Sequence, residues 1–174
     1  MAANQESAAL IYIALGSNLG DRGRHLRAAL AALRRLLTIE AVSRVYQTEP
    51  VGIRDQPDFW NLVLRAHTTL EPLALIRELQ AIEQALGRTS TVRNAPRTID
   101  IDLLSYDALE LHTNELVVPH PRLHERTFVL YPLAEIAPDF YHAGLRQSVH
   151  ELIAGLPERT RAIPLAENVL EERA

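Results

Sequence analysis

The sequence predicts one α+β domain with a ferredoxin-like βαββαβ core, in which helices cover one face of a mainly antiparallel sheet. The periods of the apolar residues follow the order strand, helix, strand, strand, helix, strand, which is that of a split β-α-β repeat. The 174 residues, 47% hydrophobic and 23% charged, suffice for one core. We therefore expect a single domain over 1–174, with C-terminal helical and strand additions, flexible ends at 1–8 and 167–174, and the second sheet face open to ligands.

The first strand and first helix are predicted by a change of hydrophobic period. Residues 10–15 are continuously apolar, whereas the leucines from Leu26 to Leu37 recur at steps of four, three and four, as on one face of a helix. The glycine-marked segment 16–20 joins the two, as a phosphate-binding loop would. It lacks the full glycine spacing and the lysine of such loops, so we interpret it as a structural turn.

The middle of the chain predicts two strands and a second helix. Residues 39–47 and 59–68 have strand patterns, and the loop 48–58 between them contains two prolines and a glycine. A loop of this length is as typical of a binding loop as of an ordinary connection. Pro72 suits the first turn of the second helix, and Gly87 suits its end.

Three polar residues of these elements are, from local pattern alone, more typical of ordinary structural positions than of a binding site. Gln80 and Glu83 lie one turn apart on the second helix and, taken alone, indicate a solvated polar face. Asn61 could offer a donor and acceptors to a heterocycle, although such an amide is more often structural.

The fourth strand carries two acids in an alternating pattern. Asp100 and Asp102 share one face, about 6.5 Å apart along the strand, and the aliphatic residues beside them face the core. Parallel carboxylates suit one or two Mg²⁺ ions completed by phosphate and water. Arg93 and Arg97, just upstream, could bind that phosphate. The alternative is an edge strand with a solvated acidic face.

Composition excludes several classes of function. The formal net charge of −4 gives no reason to expect nucleic acid, and we find neither a membrane-length apolar run nor a signal peptide. The absence of cysteine excludes disulfides and thiolate sites and fits a reducing cytoplasm. All 18 basic residues are arginines, which excludes a Walker lysine and Schiff-base chemistry whatever caused the bias.

The last third extends beyond the minimal core. A short apolar run, 116–118, precedes Pro119-His120-Pro121, and helices are expected at 125–136 and 147–156. His120 and His124 lack partners at zinc-site spacing, so we do not expect zinc. His120, on a proline-flanked turn, suits either a ligand contact or a structural histidine.

Several motifs occur together and in one order. They are Ala14-Leu15-Gly16-Ser17-Asn18-Leu19-Gly20, Tyr46-x-Thr48-x-Pro50, Gln56-Pro57-Asp58-Phe59-x-Asn61, Arg93-x-Ala95-Pro96-Arg97-x-x-Asp100-Ile101-Asp102-Leu103-Leu104, and Val118-Pro119-His120 with Arg126 and Phe128. On these motifs the chain, from Ile11 to about Pro138, resembles the 6-hydroxymethyl-7,8-dihydropterin pyrophosphokinase family.

The resemblance implies transfer of the β,γ-diphosphate of ATP to the hydroxymethyl group of 6-hydroxymethyl-7,8-dihydropterin, with release of AMP, in folate biosynthesis. It implies two Mg²⁺ ions, ATP and the pterin as small-molecule partners, and a cytoplasmic monomer. The resemblance also implies roles by position. On the nucleotide side, Asp100 and Asp102 would hold Mg²⁺, Arg88 and Arg97 would bind the transferring diphosphate, and Gln80, Glu83 and His120 would line the ATP site. On the pterin side, Thr48, Val51 and Asn61 would contact the pterin, Phe59 and Phe128 would clamp its ring, and Arg126 would support its binding or release.

The chain departs from the family pattern at Asn94-Ala95, where many members have Trp-Gly, and at Pro121, where some have an aromatic residue. The first change removes a tryptophan that helps a mobile loop to cover the site. Two alternatives stay open at this point. One is a different two-metal phosphotransferase that releases ADP or pyrophosphate, and the other is a non-catalytic ferredoxin-like module whose ligand binding is indifferent to Mg²⁺.

Overall fold

The computed structural model of the chain describes residues 8–52, 55–88, 95–157, 162–166 and 168–171. Its elements, in chain order, are β1 (Ala9–Ser17), α1 (Arg22–Leu33), β2 (Thr38–Val42), β3 (Tyr46–Thr48), β4 (Phe59–Thr68), α2 (Pro72–Ala85), β5 (Asp100–Tyr106), β6 (Leu111–His112), β7 (Val117–Val118), a 3-10 turn (Leu123–Glu125), α3 (Thr127–Ile136), β8 (Tyr141–His142), β9 (Gln147–Ser148), α4 (Val149–Ala154) and β10 (Ile163–Pro164). No helix in these residues has both the length and the apolar character of a membrane span.

The main sheet has the strand order β10-β3-β4-β1-β5, and β2 also pairs with β4. All of these pairings are antiparallel. With β2 and β3 counted as one interrupted strand, this is the predicted ferredoxin-like order, so the fold class is confirmed.

The strand expected at 39–47 is interrupted at Ser43. The backbone N–H of Ser43 donates to the carbonyl of Val63, and the side-chain Oγ of Ser43 accepts from the N–H of Val63 at 3.0 Å. A side-chain oxygen thus replaces a carbonyl of the ladder, which separates β2 from β3.

One face of the sheet packs against α1 and α2. The predicted leucine stripe of α1, with Leu26, Leu30 and Leu33, is buried there, although the helix ends at Leu33 rather than at Leu37. Alternate residues of β1, β4 and β5 face these helices, as the strand patterns predicted. This core also contains Ile11, Ile13, Leu15, Leu62, Leu64, Leu75, Leu79, Ile99, Ile101 and Leu103.

The opposite face is only partly open, which corrects the expectation that it is free for ligands. Val129, Leu130 and Leu133 of α3 form a second core with residues of this face, among them Val63 and Leu104. Burial of α3 therefore leaves only one end of this face accessible.

The C-terminal segment contacts the domain where a flexible end was expected. Strand β10 pairs with β3, Val169 and Leu170 pack against the first core, and Arg27 donates to the carbonyl of Val169 at 2.8 Å. The expected helix at 147–156 is shorter, because Ser148 and Glu151 form a capping box at the start of α4. Residues 1–7, 167 and 172–174 lie outside the described residues.

Replacing Leu79 tests the first core. Leu79 is fully buried between α2 and the sheet, so Leu79→Ala lowers the free energy of unfolding by about 2–5 kcal/mol. The control is Leu145→Ala, because Leu145 is exposed and its truncation changes stability by about 0.5 kcal/mol or less. Urea unfolding followed by circular dichroism measures both. Equal effects of the two substitutions would contradict this packing.

Candidate active site

The register of β1 brings polar residues of its two neighbouring strands onto one face of the sheet. Gly16 of β1 lies opposite Asn61 of β4 on one side and opposite Asp100 of β5 on the other. Ala14 lies opposite Asp102. Because directly opposed residues project to the same face, Asn61, Asp100 and Asp102 point to the open end of the second sheet face.

The two aspartates occupy the face that the sequence predicted. Ile99, Ile101 and Leu103, which alternate with them, are buried in the first core. The side chains of Asp100 and Asp102 are 23% and 29% exposed, and both are ion-paired. β5 does lie at the edge of the sheet, as the alternative expected, but its acidic face is ion-paired and not solvated.

A cavity of about 320 Å³ opens over the row Asn61, Gly16 and Asp100. Nine of the predicted site residues line it: Thr48, Val51, Phe59, Asn61, Arg97, Asp100, Asp102, Arg126 and Phe128. The cavity wall also contains residues to which the sequence interpretation gave no role, among them Gly16, Glu49, Ala95, Arg122 and Glu125.

Gly16 belongs to β1 and not to the turn to which we attributed it. A Cβ atom at this position would lie 2.7 Å from Oδ1 of Asn61, so glycine leaves the space that the amide occupies. Asn61 is buried, and its Nδ2 donates to Oγ1 of Thr48 at 2.7 Å. The turn itself depends on Gly20, whose φ is +58°.

Arginines neutralise the carboxylates below the cavity. Arg97 contacts Oδ1 of Asp100 at 2.6 Å, and Arg88 contacts the same oxygen at 3.1 Å. Arg126 contacts Oδ2 of Asp102 at 3.0 Å. Burial and the neighbouring charge of Asp102 raise the pKa of Asp100, and the guanidiniums of Arg97 and Arg88 oppose that rise.

Glu83 completes this cluster, against the expectation of a solvated face on α2. It is 5% exposed, pairs with Arg88 and accepts the N–H of Ile101 at 2.6 Å. Burial raises the pKa of its carboxyl, and the Asp100 charge raises it further, against the hydrogen bonds from Ile101 and Arg88. Glu83 lies four residues after the buried Leu79, on the inner stripe of the helix. Gln80 is exposed and does not line the cavity.

His120 is held next to the cluster as a neutral donor. The backbone N–H of His120 donates to the carbonyl of Leu104 at 2.8 Å, and the ring Nδ1 accepts the backbone N–H of Arg122 at 3.1 Å. The ring proton therefore resides on Nε2. Burial and the positive charge of Arg126, with a smaller effect of Arg122, lower the pKa of His120 to about 4.

The donor set suits a hard divalent cation that brings other ligands with it. Among the described residues, no group of three or more His, Asp or Glu side chains forms a complete metal site. Asp100 and Asp102 supply carboxylate oxygens on one face of a rigid strand. Mg²⁺ accepts one or two carboxylates together with phosphate and water, so these residues fit Mg²⁺ bound with a nucleotide.

Known proteins resemble this chain over most of its length. The model of the 7,8-dihydro-6-hydroxymethylpterin-pyrophosphokinase family matches residues 12–138. The 2-amino-4-hydroxy-6-hydroxymethyldihydropteridine pyrophosphokinase of Bacillus subtilis is 49% identical over 129 residues, which are 73% of this chain and 77% of that protein. The chain belongs to this family. It is therefore a pyrophosphokinase by family.

The chain also matches part of the length of longer proteins. The folic acid synthesis protein FOL1 of Dictyostelium discoideum is 38% identical over 148 residues, which are 85% of this chain but 22% of that protein. A crystal structure of a triple mutant of Plasmodium falciparum HPPK-DHPS superposes with a TM-score of 0.72 over 87% of this chain and 44% of that one. At 15% identity the latter likeness supports the fold alone.

Part of the pyrophosphokinase pattern lies outside the described residues. This applies to Arg93 and Asn94 and to the loop 89–92, so the effect of the Asn94-Ala95 replacement stays a prediction. The signal for one missed feature was present in the sequence. Gly16 belongs to the first matching motif, but its role depends on Asn61, which is distant in the chain.

The pH dependence of the free energy of unfolding tests the environment of His120. The folded protein binds a proton at His120 only near pH 4, whereas the unfolded chain does so near pH 6.5. The free energy of unfolding therefore falls as the pH drops through this window, by at most about 1.4 kcal/mol per pH unit from this group.

The variant His120→Asn, whose Oδ1 can accept the Arg122 N–H, loses this pH dependence. The control His112→Asn retains it, because His112 is exposed. Urea unfolding between pH 7 and pH 4.5 measures the slopes. Identical slopes for the wild type and His120→Asn would show that His120 does not titrate in this way.

Proposed function

We propose that the protein transfers the β,γ-diphosphate of ATP to the hydroxymethyl oxygen of 6-hydroxymethyl-7,8-dihydropterin and releases AMP. The observation that carries this proposal is the row Asn61, Gly16 and Asp100, which places a fixed amide beside paired carboxylates in one cavity. An amide suits a heterocycle and the carboxylates suit a metal–phosphate group, so both substrates would meet above Gly16.

The arginines of the cluster form the proposed phosphate site. Arg97 and Arg88 both contact Asp100 at present, and a triphosphate offers them oxygens of the same charge and geometry. We assign both residues to the transferring diphosphate. Glu83 contacts the same Nη1 nitrogen of Arg88 as Asp100 does, and the Nε2–H of His120 would offer the nucleotide a neutral donor. Gln80 would reach the nucleotide only from the exposed side of α2.

Asp100 and Asp102 are assigned to the metal site. Two Mg²⁺ ions bound there would neutralise charge on the phosphate oxygens and lower the cost of deprotonating the hydroxymethyl group. The carboxylates would then contact cations, and the arginines would contact phosphate. This exchange of partners would keep every buried charge paired, and an unpaired buried charge would be strongly destabilising.

The opposite end of the cavity forms the proposed pterin site. Thr48 orients the amide of Asn61, and Phe59 and Phe128 both line the cavity, where their rings can enclose a flat heterocycle. The guanidinium of Arg126 lies 5.4 Å from the Phe128 ring centre while it contacts Asp102. Arg126 thus connects the two substrate sites and is assigned to pterin binding or release. Val51 is 52% exposed at the rim.

The proposed step is an in-line displacement at the β-phosphorus. The hydroxymethyl oxygen loses its proton and bonds to the β-phosphorus, and the bond from the β-phosphorus to the α,β-bridging oxygen breaks, so that AMP leaves. Such a transfer depends on positioning and on charge neutralisation more than on covalent help from the protein. Arg88 and Arg97, which stay charged throughout, supply that neutralisation from the protein.

Product analysis tests the reaction. Purified protein with ATP, Mg²⁺ and the pterin should form AMP in equal amount to the pterin diphosphate. Asp100→Asn and Asp102→Asn each reduce turnover by about 10³-fold or more, whereas Asp139→Asn, at an exposed position, leaves it unchanged. Formation of ADP would point to a phosphotransferase of another kind. Pterin binding without turnover that survives both substitutions would identify a binding module.

Substitution of Gly16 tests the pterin side separately. In Gly16→Ala the new Cβ displaces the amide of Asn61 from its place beside Thr48. Pterin affinity should fall about 10- to 100-fold, while affinity for a Mg²⁺-bound, non-hydrolysable ATP analogue stays within about threefold. Gly155→Ala is the control, because a Cβ there makes only ordinary contacts. Calorimetric titration measures both ligands, and unchanged pterin affinity in Gly16→Ala would refute this placement.

A further inference from the structure

Asn18 is a buried amide at the point where three segments of the chain meet. It follows the last residue of β1 and is 1% exposed. Its Oδ1 accepts the N–H of Arg97 at 2.8 Å, and its own N–H donates to the carbonyl of Arg97 at 3.1 Å. Its Nδ2 donates to Oε1 of Gln56 at 2.8 Å and to the carbonyl of Pro57 at 3.0 Å.

The backbone partners determine which way this amide points. The N–H of Arg97 requires an acceptor and the carbonyl of Pro57 requires a donor, so the oxygen faces Arg97 and the nitrogen faces Pro57. An amide side chain is suited to both tasks at once. A serine is too short to span both segments, and an aspartate offers no donor at neutral pH.

Asn18 holds one loop that lines the cavity, through Ala95 and Arg97, and a second loop that leads into the lining residue Phe59. Residues 95–98 lie outside any helix or strand and carry Arg97, whose guanidinium contacts Asp100 at 2.6 Å. Residues 55–58 are also irregular and lead directly into Phe59. Without ladder hydrogen bonds, the position of each loop relative to β1 depends on side-chain contacts such as these.

The second loop has additional supports, which the first loop does not share. Arg22 donates to the carbonyl of Asp58 at 2.7 Å, and Gln47 donates to the carboxylate of Asp58 at 2.8 Å. Asn18 is the described side chain that binds both loops. It therefore sets their positions relative to each other, whereas Arg22 and Gln47 act on one of them.

We propose that Asn18 is a positioning residue that couples the phosphate-binding loop at Arg97 to the pterin-binding loop before Phe59. The proposal rests on the function proposed above, because it concerns the distance between the two substrates. Asn18 does not touch the cavity. It acts through Arg97 and through Pro57, and its loss separates the reacting groups without removing any of them. Misplacement of reacting groups by about 1 Å costs about 100-fold in rate.

Two variants distinguish the halves of this contact. Asn18→Asp keeps the acceptor for the Arg97 N–H but presents an anion to the Pro57 carbonyl, and a flip of the Gln56 amide cannot relieve that repulsion. Asn18→Ala loses the side-chain contacts to both loops and keeps only the backbone hydrogen bond to the Arg97 carbonyl. Asn114, which is exposed, supplies the controls Asn114→Asp and Asn114→Ala.

Steady-state kinetics should show a fall in kcat of about tenfold or more for Asn18→Asp and about 100-fold for Asn18→Ala. In Asn18→Asp the pterin KM rises while the ATP KM stays within about threefold, and in Asn18→Ala both rise. The Asn114 variants keep wild-type values. Wild-type kcat in both folded Asn18 variants would overturn the proposal, as would an equal change in both KM values for Asn18→Asp.

Amide hydrogen exchange gives a readout that needs no substrate. The Arg97 N–H should stay protected in Asn18→Asp and lose protection about tenfold or more in Asn18→Ala. The same protection in both variants would refute the Arg97 contact. If the wild type makes no AMP, the proposed reaction fails, while the exchange data still decide whether Asn18 positions the loop. Exchange and kinetics are measured well below the unfolding temperature of each variant, so that reduced stability alone does not produce the result.

Discussion

The antiparallel register of β1 with its two neighbours is the constraint on which the site depends. It places Gly16 between Asn61 and Asp100 in one row across the sheet. A slip by one residue would turn these polar side chains into the core formed with α1 and α2. The buried residues of β1 that alternate with the row, Ile13 and Leu15, oppose such a slip. The apolar pattern that builds the core therefore also orients the chemistry.

The cavity exists because the second face of the sheet is covered unevenly. Helix α3 buries the part near Val63 and Leu104, and its first two residues line the cavity that opens over the row at Gly16. The missing side chain of Gly16 adds room for the amide of Asn61. Short loops then form the walls, so their positions matter as much as the sheet, and Asn18 is one of the contacts that hold them.

Charge balance makes this buried site physically tolerable. Three guanidiniums, from Arg88, Arg97 and Arg126, face the carboxylates of Glu83, Asp100 and Asp102. A buried charge without a partner would be strongly destabilising, whereas matched pairs are not. The proposed ligands carry both negative and positive charge, because a polyphosphate binds together with its cations. Each charged side chain could therefore exchange its present partner for a ligand of the same charge. Arginine suits this exchange, because it stays charged and matches phosphate and carboxylate alike.

The sequence by itself determined the order of the core elements, the common face of Asp100 and Asp102 and, through its motifs, nine of the residues that line the cavity. The element order and the common face follow from local periodicity, which a linear pattern records directly, whereas the nine site residues were carried over from the family resemblance that the motifs show. Only the tertiary structure decided that Glu83 is buried while Gln80 is exposed, and that α3 covers part of the second face. Asn18 likewise acquires its role from two loops about 40 and 80 residues away. What lies opposite a side chain depends on packing between distant segments, and no local pattern contains that information.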